Sequence, residues 1–238
     1  MKPAQCRGDL ALHGARFAEH LHSGSVCRQW LRPRKPFGTA RAMLLIKQFP
    51  HISLADTLFV FALEAEAGSV FADVNTVFTG IGKVNAAIAL TKAVQQHRPK
   101  LIVNLGSAGS QRYGKGEVVC CTRFVQRDMD VTPLGFARYE TPLSDIPVLL
   151  EHGEAIPGLP LGTCGSGDSF EVNHGESPYD IVDMEAYVLA LIARTEGIPF
   201  VCLKYISDDA GSDAADDWSV QVHLAAEAFK RVLFGSEG

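Results

Sequence analysis

The stretch that decides the fold is KVNAAIALTKAVQQHRPKLIVNL, residues Lys83–Leu105. Its first fifteen residues carry apolar side chains at the spacing of a helix, and the face that they share is expected to hold Val84, Ala87, Ile88, Thr91 and Val94. Pro99 and Lys100 interrupt this pattern, and the continuous apolar run 101–105 predicts a buried strand. A helix joined by a short turn to a fully apolar strand is typical of an α/β protein.

The same alternation extends in both directions along the chain. Short apolar runs predict strands at 57–63, 77–82, 117–125, 159–164 and 198–206. Two more helices are expected, one over 183–196 with Asp183 as its N-cap and one over 216–234. Strands that are continuously apolar and interleaved with helices indicate a largely parallel sheet that is covered on both faces. We expect one α/β domain.

Charge and composition separate residues 1–42 from the remainder of the chain. Residues 1–42 have a net charge of +6 and no sustained hydrophobic periodicity, whereas residues 43–238 have a net charge of −11. We interpret 1–42 as a disordered or non-native extension and 43–238 as the domain, and a targeting segment or a DNA-binding arm are the alternatives. The net negative charge of residues 43–238 disfavours binding of nucleic acid, whose phosphates are also negative. The apolar runs are too short to span a membrane, and the six cysteines form no CxxC pair, so a soluble, cytoplasmic protein is expected.

Several well-known catalytic motifs are almost present but fail. Gly80-Ile-Gly-Lys83 has the wrong spacing for a P-loop, and Val84 stands where Ser or Thr is needed. Ser107 directly follows Gly106, which excludes a G-x-S-x-G nucleophile elbow. The eight histidines form no HExxH, so no metal site is predicted.

Polar residues follow four of the predicted strands at their carboxyl ends. They are Glu64 and Glu66; Ser107, Ala108 and Gly109; Asp168, Ser169 and Phe170; and Ser207 and Asp208. Ligands of open parallel sheets bind at this edge, so the four loops predict a pocket. Glu185 lies in the first turn of helix 183–196. A surface carboxylate at this place is also favoured by the helix dipole alone, without any role in ligand binding.

Six segments, in this order along the chain, resemble one enzyme family. They are Thr79–Ala87, Asn104–Gly109, Asp128–Thr132, Ser166–Phe170, Val182–Ala186 and Ile206–Asp208. Together they are similar to the 5'-methylthioadenosine/S-adenosylhomocysteine nucleosidases, which belong to the wider purine nucleoside phosphorylase group. The resemblance implies a three-layer αβα fold with a central mixed, largely parallel sheet. It also implies a purine nucleoside and water as substrates, no cofactor, and a homodimer.

The resemblance also implies a role for each matching residue. Asp208 matches the general acid that protonates the purine at N7, and Glu66 matches the carboxylate that activates the attacking water. Glu185 matches the residue that binds the ribose hydroxyls. Other substrate contacts are implied for Met184 on the sugar, Phe170 and Glu171 on the base, and Ser107, Ala108, Gly109 and Ser207 along the pocket. An acid on the base side and a carboxylate on the water side follow the logic of glycoside hydrolysis.

Water rather than phosphate is the expected nucleophile. The related phosphorylases resemble one another in a Gly-Asp-Pro loop and an Arg, whereas this chain has Ala62–Glu66 and Asn104 at those places. A carboxylate there repels phosphate and supplies a base. A phosphate-dependent phosphorylase, a hydrolase of another purine nucleoside such as futalosine, and a non-catalytic nucleoside-binding protein remain the alternatives.

One departure from the family concerns the interval between Glu66 and Gly80. Typical nucleosidases place a further strand pair there, whereas this chain has only residues 67–79. We therefore expect a missing strand or a much shortened loop near the sugar end of the pocket. The preferred 5' substituent and the oligomeric state depend on this region.

Overall fold

The computed structural model of the chain describes residues 48–169, 177–210 and 214–235, with the backbone alone for 214–220. The expectation for residues 1–42 lies outside the described residues. The described chain forms an eight-stranded mixed sheet with helices packed against it. Its strands are β1 (Thr57–Phe61), β2 (Thr76–Phe78), β3 (Leu101–Gly109), β4 (Val118–Gln126), β5 (Leu150–Glu151), β6 (Leu161–Ser166), β7 (Ile181–Asp183) and β8 (Phe200–Asp208).

Four helices among the described residues cover the sheet. They are α1 (Glu64–Ala67), α2 (Lys83–His97), α3 (Ala186–Thr195) and α4 (Ala214–Phe234). Helix α4 packs with α1 against β3 and β8, and α3 packs with α2 and against β6 and β4. This is the predicted three-layer αβα arrangement. No helix among the described residues has both the length and the apolar composition needed to cross a membrane.

The sheet is mixed, with β3 near its centre. The order is β2-β1-β3-β7-β6-β4-β5, and β8 pairs with both β3 and β4. Strand β3 runs parallel to β1 and β8 and makes a short antiparallel contact with β7 at Gly109 and Val182. Every residue of β1 and β8 is buried, as the continuous apolar runs predict.

Helix α2 occupies the predicted residues, but the predicted face is confirmed only at Val94. Its buried residues are Ala86, Leu90, Ala93 and Val94. Val84 and Ile88 are 68% and 51% exposed. Ala86 and Ala93 let the helix approach its neighbours closely, and Leu90 and Val94 fill the remaining space at the contact.

Residues 67–79 are a short connection with one strand. After α1, a series of turns places Phe71 and Val74 in the core, where the Phe71 ring packs edge-on against Phe61 with 5.0 Å between ring centres. Strand β2 then pairs in parallel with β1 at the edge of the sheet. The interval therefore contains β2 and no additional strand pair, as its length suggests.

Candidate active site

The candidate site surrounds the carboxyl-terminal end of β3. The three strands that pair with β3 each bring acidic residues there: α1 follows β1, Asp183 ends β7, and Asp208 ends β8. Strands β3 and β8 extend further than predicted. The segments 107–109 and 207–208 are therefore the last residues of buried strands rather than loops, which fixes their backbone more firmly.

Glu66 lies in α1 and is almost completely buried. Its Oε1 accepts hydrogen bonds from the backbone N–H and the hydroxyl of Ser107, both at 2.8 Å, and its Oε2 accepts from the N–H of Leu63 at 3.0 Å. Three donors directed at one carboxyl group fix the orientation of that group. Glu66 and Ser107, which the sequence predicts for one pocket, are thus in direct contact.

Asp208 is buried at the end of β8. Its Oδ2 accepts a hydrogen bond from the Ser207 hydroxyl at 2.8 Å, and its Oδ1 accepts from the N–H of Ala210 at 2.9 Å. A Cβ on Gly109 would stand 2.5 Å from Oδ1 of Asp208, closer than two such atoms can approach. Glycine at position 109 is therefore required for the carboxyl group of Asp208 to stand where it does.

Glu185 is the residue immediately before α3 rather than part of its first turn. Its Oε1 accepts a hydrogen bond at 2.8 Å from the N–H of Gly82, at the start of α2. Burial, followed by the neighbouring Asp183 carboxylate, raises the pKa of Glu185 to about 8. The charge of Glu66 adds a smaller contribution in the same direction.

A buried ion pair that no sequence motif indicates lies beside these carboxyl groups. The ammonium of Lys204 is 2.8 Å from Oδ2 of Asp183, and both side chains are fully buried. Asp183 was expected to be the N-cap of a helix; it is instead the last residue of β7, although it does accept a hydrogen bond from the N–H of Ala186 at 2.9 Å. The sequence does contain a signal for this pair, which is a lysine inside the continuous apolar strand 198–206. A strand that is buried on both faces cannot direct a charged side chain to water, so the lysine needs a buried partner of opposite charge.

Lys204 is also close to the candidate base. In the register of β3 and β8 it stands opposite Gly106, and a Cβ on Gly106 would be 3.3 Å from both the Lys204 Nζ and the Glu66 Oε1. Burial alone would lower the pKa of Lys204, but Asp183 raises that pKa well above the usual lysine value. For Asp183, burial would raise the pKa, and Lys204 lowers it overall. This site therefore contains a charged Lys204–Asp183 pair beside Glu66 and Glu185.

The other predicted residues fall in two groups. Ala108 contributes its carbonyl oxygen, 3.3 Å from the Ser207 hydroxyl, and Met184 is half-buried between β7 and α3. Phe170 and Glu171, which the family resemblance implies for base binding, lie outside the described residues.

Asn104 has a structural role. It stands at the position where the related phosphorylases carry an arginine, but it is buried in β3 and donates to the Val60 carbonyl at 3.1 Å. Its oxygen accepts a hydrogen bond from the Cys202 thiol. Asn104 therefore joins β3 to β1 and β8 and is not available to bind an anion.

Comparisons with known proteins agree on one family. The sequence profile of the phosphorylase superfamily matches residues 62–234. The 5'-methylthioadenosine/S-adenosylhomocysteine nucleosidase of Actinobacillus succinogenes is 30% identical over 179 residues, which are 66% of this chain and 77% of the relative. The nucleosidase of the same name from Marinomonas sp. is 31% identical over 65% of this chain and 76% of its own length.

Solved structures share the fold. The 5'-methylthioadenosine/S-adenosylhomocysteine nucleosidase of Helicobacter pylori, in complex with a substituted pyrrolidin-3-ol, superposes with a TM-score of 0.68 at 19% identity, covering 74% of this chain and 95% of the other. Futalosine hydrolase of the same organism superposes with a TM-score of 0.67 at 18% identity, covering 74% and 94%. At these identities the likeness concerns the architecture alone.

Proposed function

The chain belongs to the phosphorylase superfamily and, within it, to the 5'-methylthioadenosine/S-adenosylhomocysteine nucleosidase family, and we propose that it hydrolyses the N-glycosidic bond of these nucleosides with Asp208 and Glu66 as the reacting acid and base. The roles of Glu66 and Asp208 are proposed from their positions along β3. Glu66 is bonded to Ser107, and Asp208 lies against Gly109, two residues further along that strand. Two residues of a strand span about 7 Å, which suits two carboxyl groups that act on opposite sides of one glycosidic linkage with a water between.

The proposed reaction begins at the base. Asp208 gives a proton to N7 of the purine, the C1'–N9 bond breaks with its electron pair leaving on the base, and the sugar acquires the character of an oxocarbenium ion. Water then attacks C1', and Glu66 accepts its proton. The hydrogen bonds that hold Glu66 through Leu63 and Ser107 support this role, since a base must be oriented before it can act.

Glu185 is proposed to bind the ribose hydroxyls. A buried carboxyl group with a pKa raised to about 8 gains more from accepting two hydroxyl hydrogen bonds than an exposed one does, because those bonds replace missing water. With this pKa the free carboxyl group is largely protonated near pH 7, so it must ionise in the complex before its charge stabilises the cationic sugar in the transition state. Phe170, Glu171 and Met184 complete the proposed substrate contacts, as the family resemblance implies.

Charge at the site favours water over phosphate. Glu66 and Glu185 are acidic, and the cation beside them, Lys204, is already paired with Asp183. A phosphate dianion entering this place would meet carboxylates rather than the arginines and free N–H groups that phosphate needs. Hydrolysis is therefore proposed in preference to phosphorolysis.

Domain organisation, assembly and location are proposed with the function. Residues 43–238 form the nucleosidase domain, and residues 1–42 are an extension. Val84 and Ile88 on the outer face of α2 are exposed apolar side chains, which supports burial against a second copy in a homodimer. The four described cysteines are buried free thiols, which supports a reducing, cytoplasmic location.

The experiment is a panel assay. The full chain is incubated with 5'-methylthioadenosine, S-adenosylhomocysteine, inosine and futalosine, with and without phosphate, and the released base and sugar are identified. We expect adenine and the free sugar from the first two nucleosides at a rate independent of phosphate. A strict phosphate requirement with a sugar 1-phosphate as product would establish the phosphorylase alternative instead, and release of hypoxanthine from futalosine alone would move the substrate to that nucleoside.

A further inference from the structure

We propose that Lys83 is a positioning residue that couples the sugar-binding carboxylate Glu185 to the pocket rim at residues 167–169. This inference rests on the proposed function, because the coupled parts are parts of the proposed substrate pocket. Neither Lys83 nor its partner Asp128 touches the residues that carry the chemistry. Their proposed effect is on substrate affinity and not on the reaction itself.

Two successive backbone N–H groups at the start of α2 bind carboxylates from different parts of the pocket. The N–H of Gly82 donates to Oε1 of Glu185 at 2.8 Å, and the N–H of Lys83 donates to Oδ1 of Asp168 at 2.7 Å. Because these donors belong to adjacent peptide groups, the sugar-side carboxylate and the end of β6 are attached to one rigid point. The positive end of the helix dipole favours both contacts.

The Lys83 side chain closes this arrangement into a ring. Its ammonium forms an ion pair with Oδ1 of Asp128 and lies 3.9 Å from Oδ2 of Asp168. Asp128 in turn accepts a hydrogen bond from the N–H of Asp168 at 2.9 Å. Three segments that are distant in sequence, at 83, 128 and 168, therefore meet around one cation.

Burial makes this cation more than a surface charge. The Lys83 side chain is 14% exposed, against 30% for Asp128 and 43% for Asp168. Burial would raise the pKa of Asp128, but the hydrogen bond from Lys83 and the N–H of Asp168 lower that pKa overall, so Asp128 stays charged. Without the ammonium, the two aspartates would repel each other in a partly desolvated place.

The rim is also attached by Arg127. The guanidinium donates to the Gly167 carbonyl at 3.2 Å and to the Ser169 hydroxyl at 3.1 Å. This attachment does not involve α2, so it keeps residues 167–169 folded when Lys83 is removed. What the Lys83 side chain adds to the backbone contact is a second attachment of that rim to the start of α2, where Gly82 binds Glu185.

The test compares Lys83→Met, Lys83→Arg and Asp128→Asn with the unaltered full chain, using steady-state kinetics on 5'-methylthioadenosine. Lys83→Met should raise KM about tenfold while kcat stays within about twofold, because substrate binding is disturbed and the reacting groups are not. Lys83→Arg keeps the cation and should restore KM. Asp128→Asn raises KM in the same direction, and it provides the answer if Lys83→Met does not fold.

Lys100→Met is the matched control, because it breaks an exposed ion pair with Asp56 that does not belong to the pocket. It should leave KM and kcat unchanged. An unaltered KM in Lys83→Met, or an equal loss of kcat and of affinity, would overturn the inference. A full chain without activity on any nucleoside of the panel would overturn the proposed function instead, so the two failures are distinguishable.

Discussion

Gly109 leaves the Asp208 carboxyl group the space that a side chain would take, since a Cβ at position 109 would stand 2.5 Å from Oδ1 of Asp208. Strand β3 shifts its register relative to β8 just before Gly109, and the aspartate lies against this irregularity. The position of the proposed general acid thus depends on residue 109 of the neighbouring strand having no side chain.

The first prediction concerns this glycine. Gly109→Ala should displace Asp208 and lower kcat about tenfold or more, because proton transfer depends steeply on the position of the acid. KM should change less, since the sugar contacts remain. Gly114→Ala is the matched control, because its Cβ would meet only Glu117, at an ordinary distance of 3.4 Å. Equal kcat values for the two variants would contradict the claim that Gly109 positions Asp208.

The second prediction separates two glutamates of α1. Glu66→Gln keeps the size and the acceptor oxygen that Ser107 binds, but it removes the base, so kcat should fall about 10²- to 10⁴-fold. Glu64→Gln changes an exposed carboxyl group in the same helix and should retain the full rate. Both are measured by adenine release at saturating nucleoside. Comparable rates for the two variants would contradict the role given to Glu66.

The third prediction concerns the buried ion pair. Lys204→Met leaves Asp183 buried without its cation and should lower the free energy of unfolding by about 3–5 kcal/mol. The double change Lys204→Met with Asp183→Asn should recover most of that loss, because no charge is then left unpaired. Denaturant unfolding of the unaltered chain, of each single variant (Lys204→Met and Asp183→Asn) and of the double variant measures the coupling, and additive losses would show that the pair does not act as a unit.

The fourth prediction is the pH dependence that Glu185 gives to stability. Its pKa in the folded chain is about 8, well above the value of about 4.3 for an unfolded glutamate. Between those two values the unfolded chain has lost a proton that the folded chain keeps, so stability falls as the pH rises toward 8. Glu185→Gln removes this dependence. Its advantage over the unaltered chain should grow from pH 5 to pH 8.5 by about 1 kcal/mol or more, as measured by urea unfolding.

Much of the architecture follows from local pattern. The bounds of α2 were predicted because Gly82 and Pro99 flank an uninterrupted helical period, and β1, β3 and β8 were predicted because their apolar runs are continuous. Strands β5 and β7 were missed, since two or three residues carry no periodicity. The face of α2 differs from the prediction for another reason: Ala86 and Ala93 lie at the contact because it is closely packed, which hydrophobicity alone does not reveal.

The site was predictable where a residue type and a strand end coincide. Glu66, Ser107 and Asp208 were found in this way, and the structure brings them to one end of β3. Lys204 and Asp183 were missed, because their function depends on each other and they lie far apart in sequence. Lys83 ends an incomplete P-loop pattern in the sequence, and its contacts with Asp128 and Asp168 depend on loops whose paths the sequence does not specify.

The most direct test of the central claim is the rate of adenine release from 5'-methylthioadenosine in phosphate-free buffer by the unaltered chain and by Asp208→Asn, with the exposed neighbour Asp209→Asn as control. We predict full activity for the unaltered chain and for Asp209→Asn, and a loss of about 10²-fold or more for Asp208→Asn. Undiminished adenine release by Asp208→Asn would contradict the account, because the leaving base would then take its proton from another group.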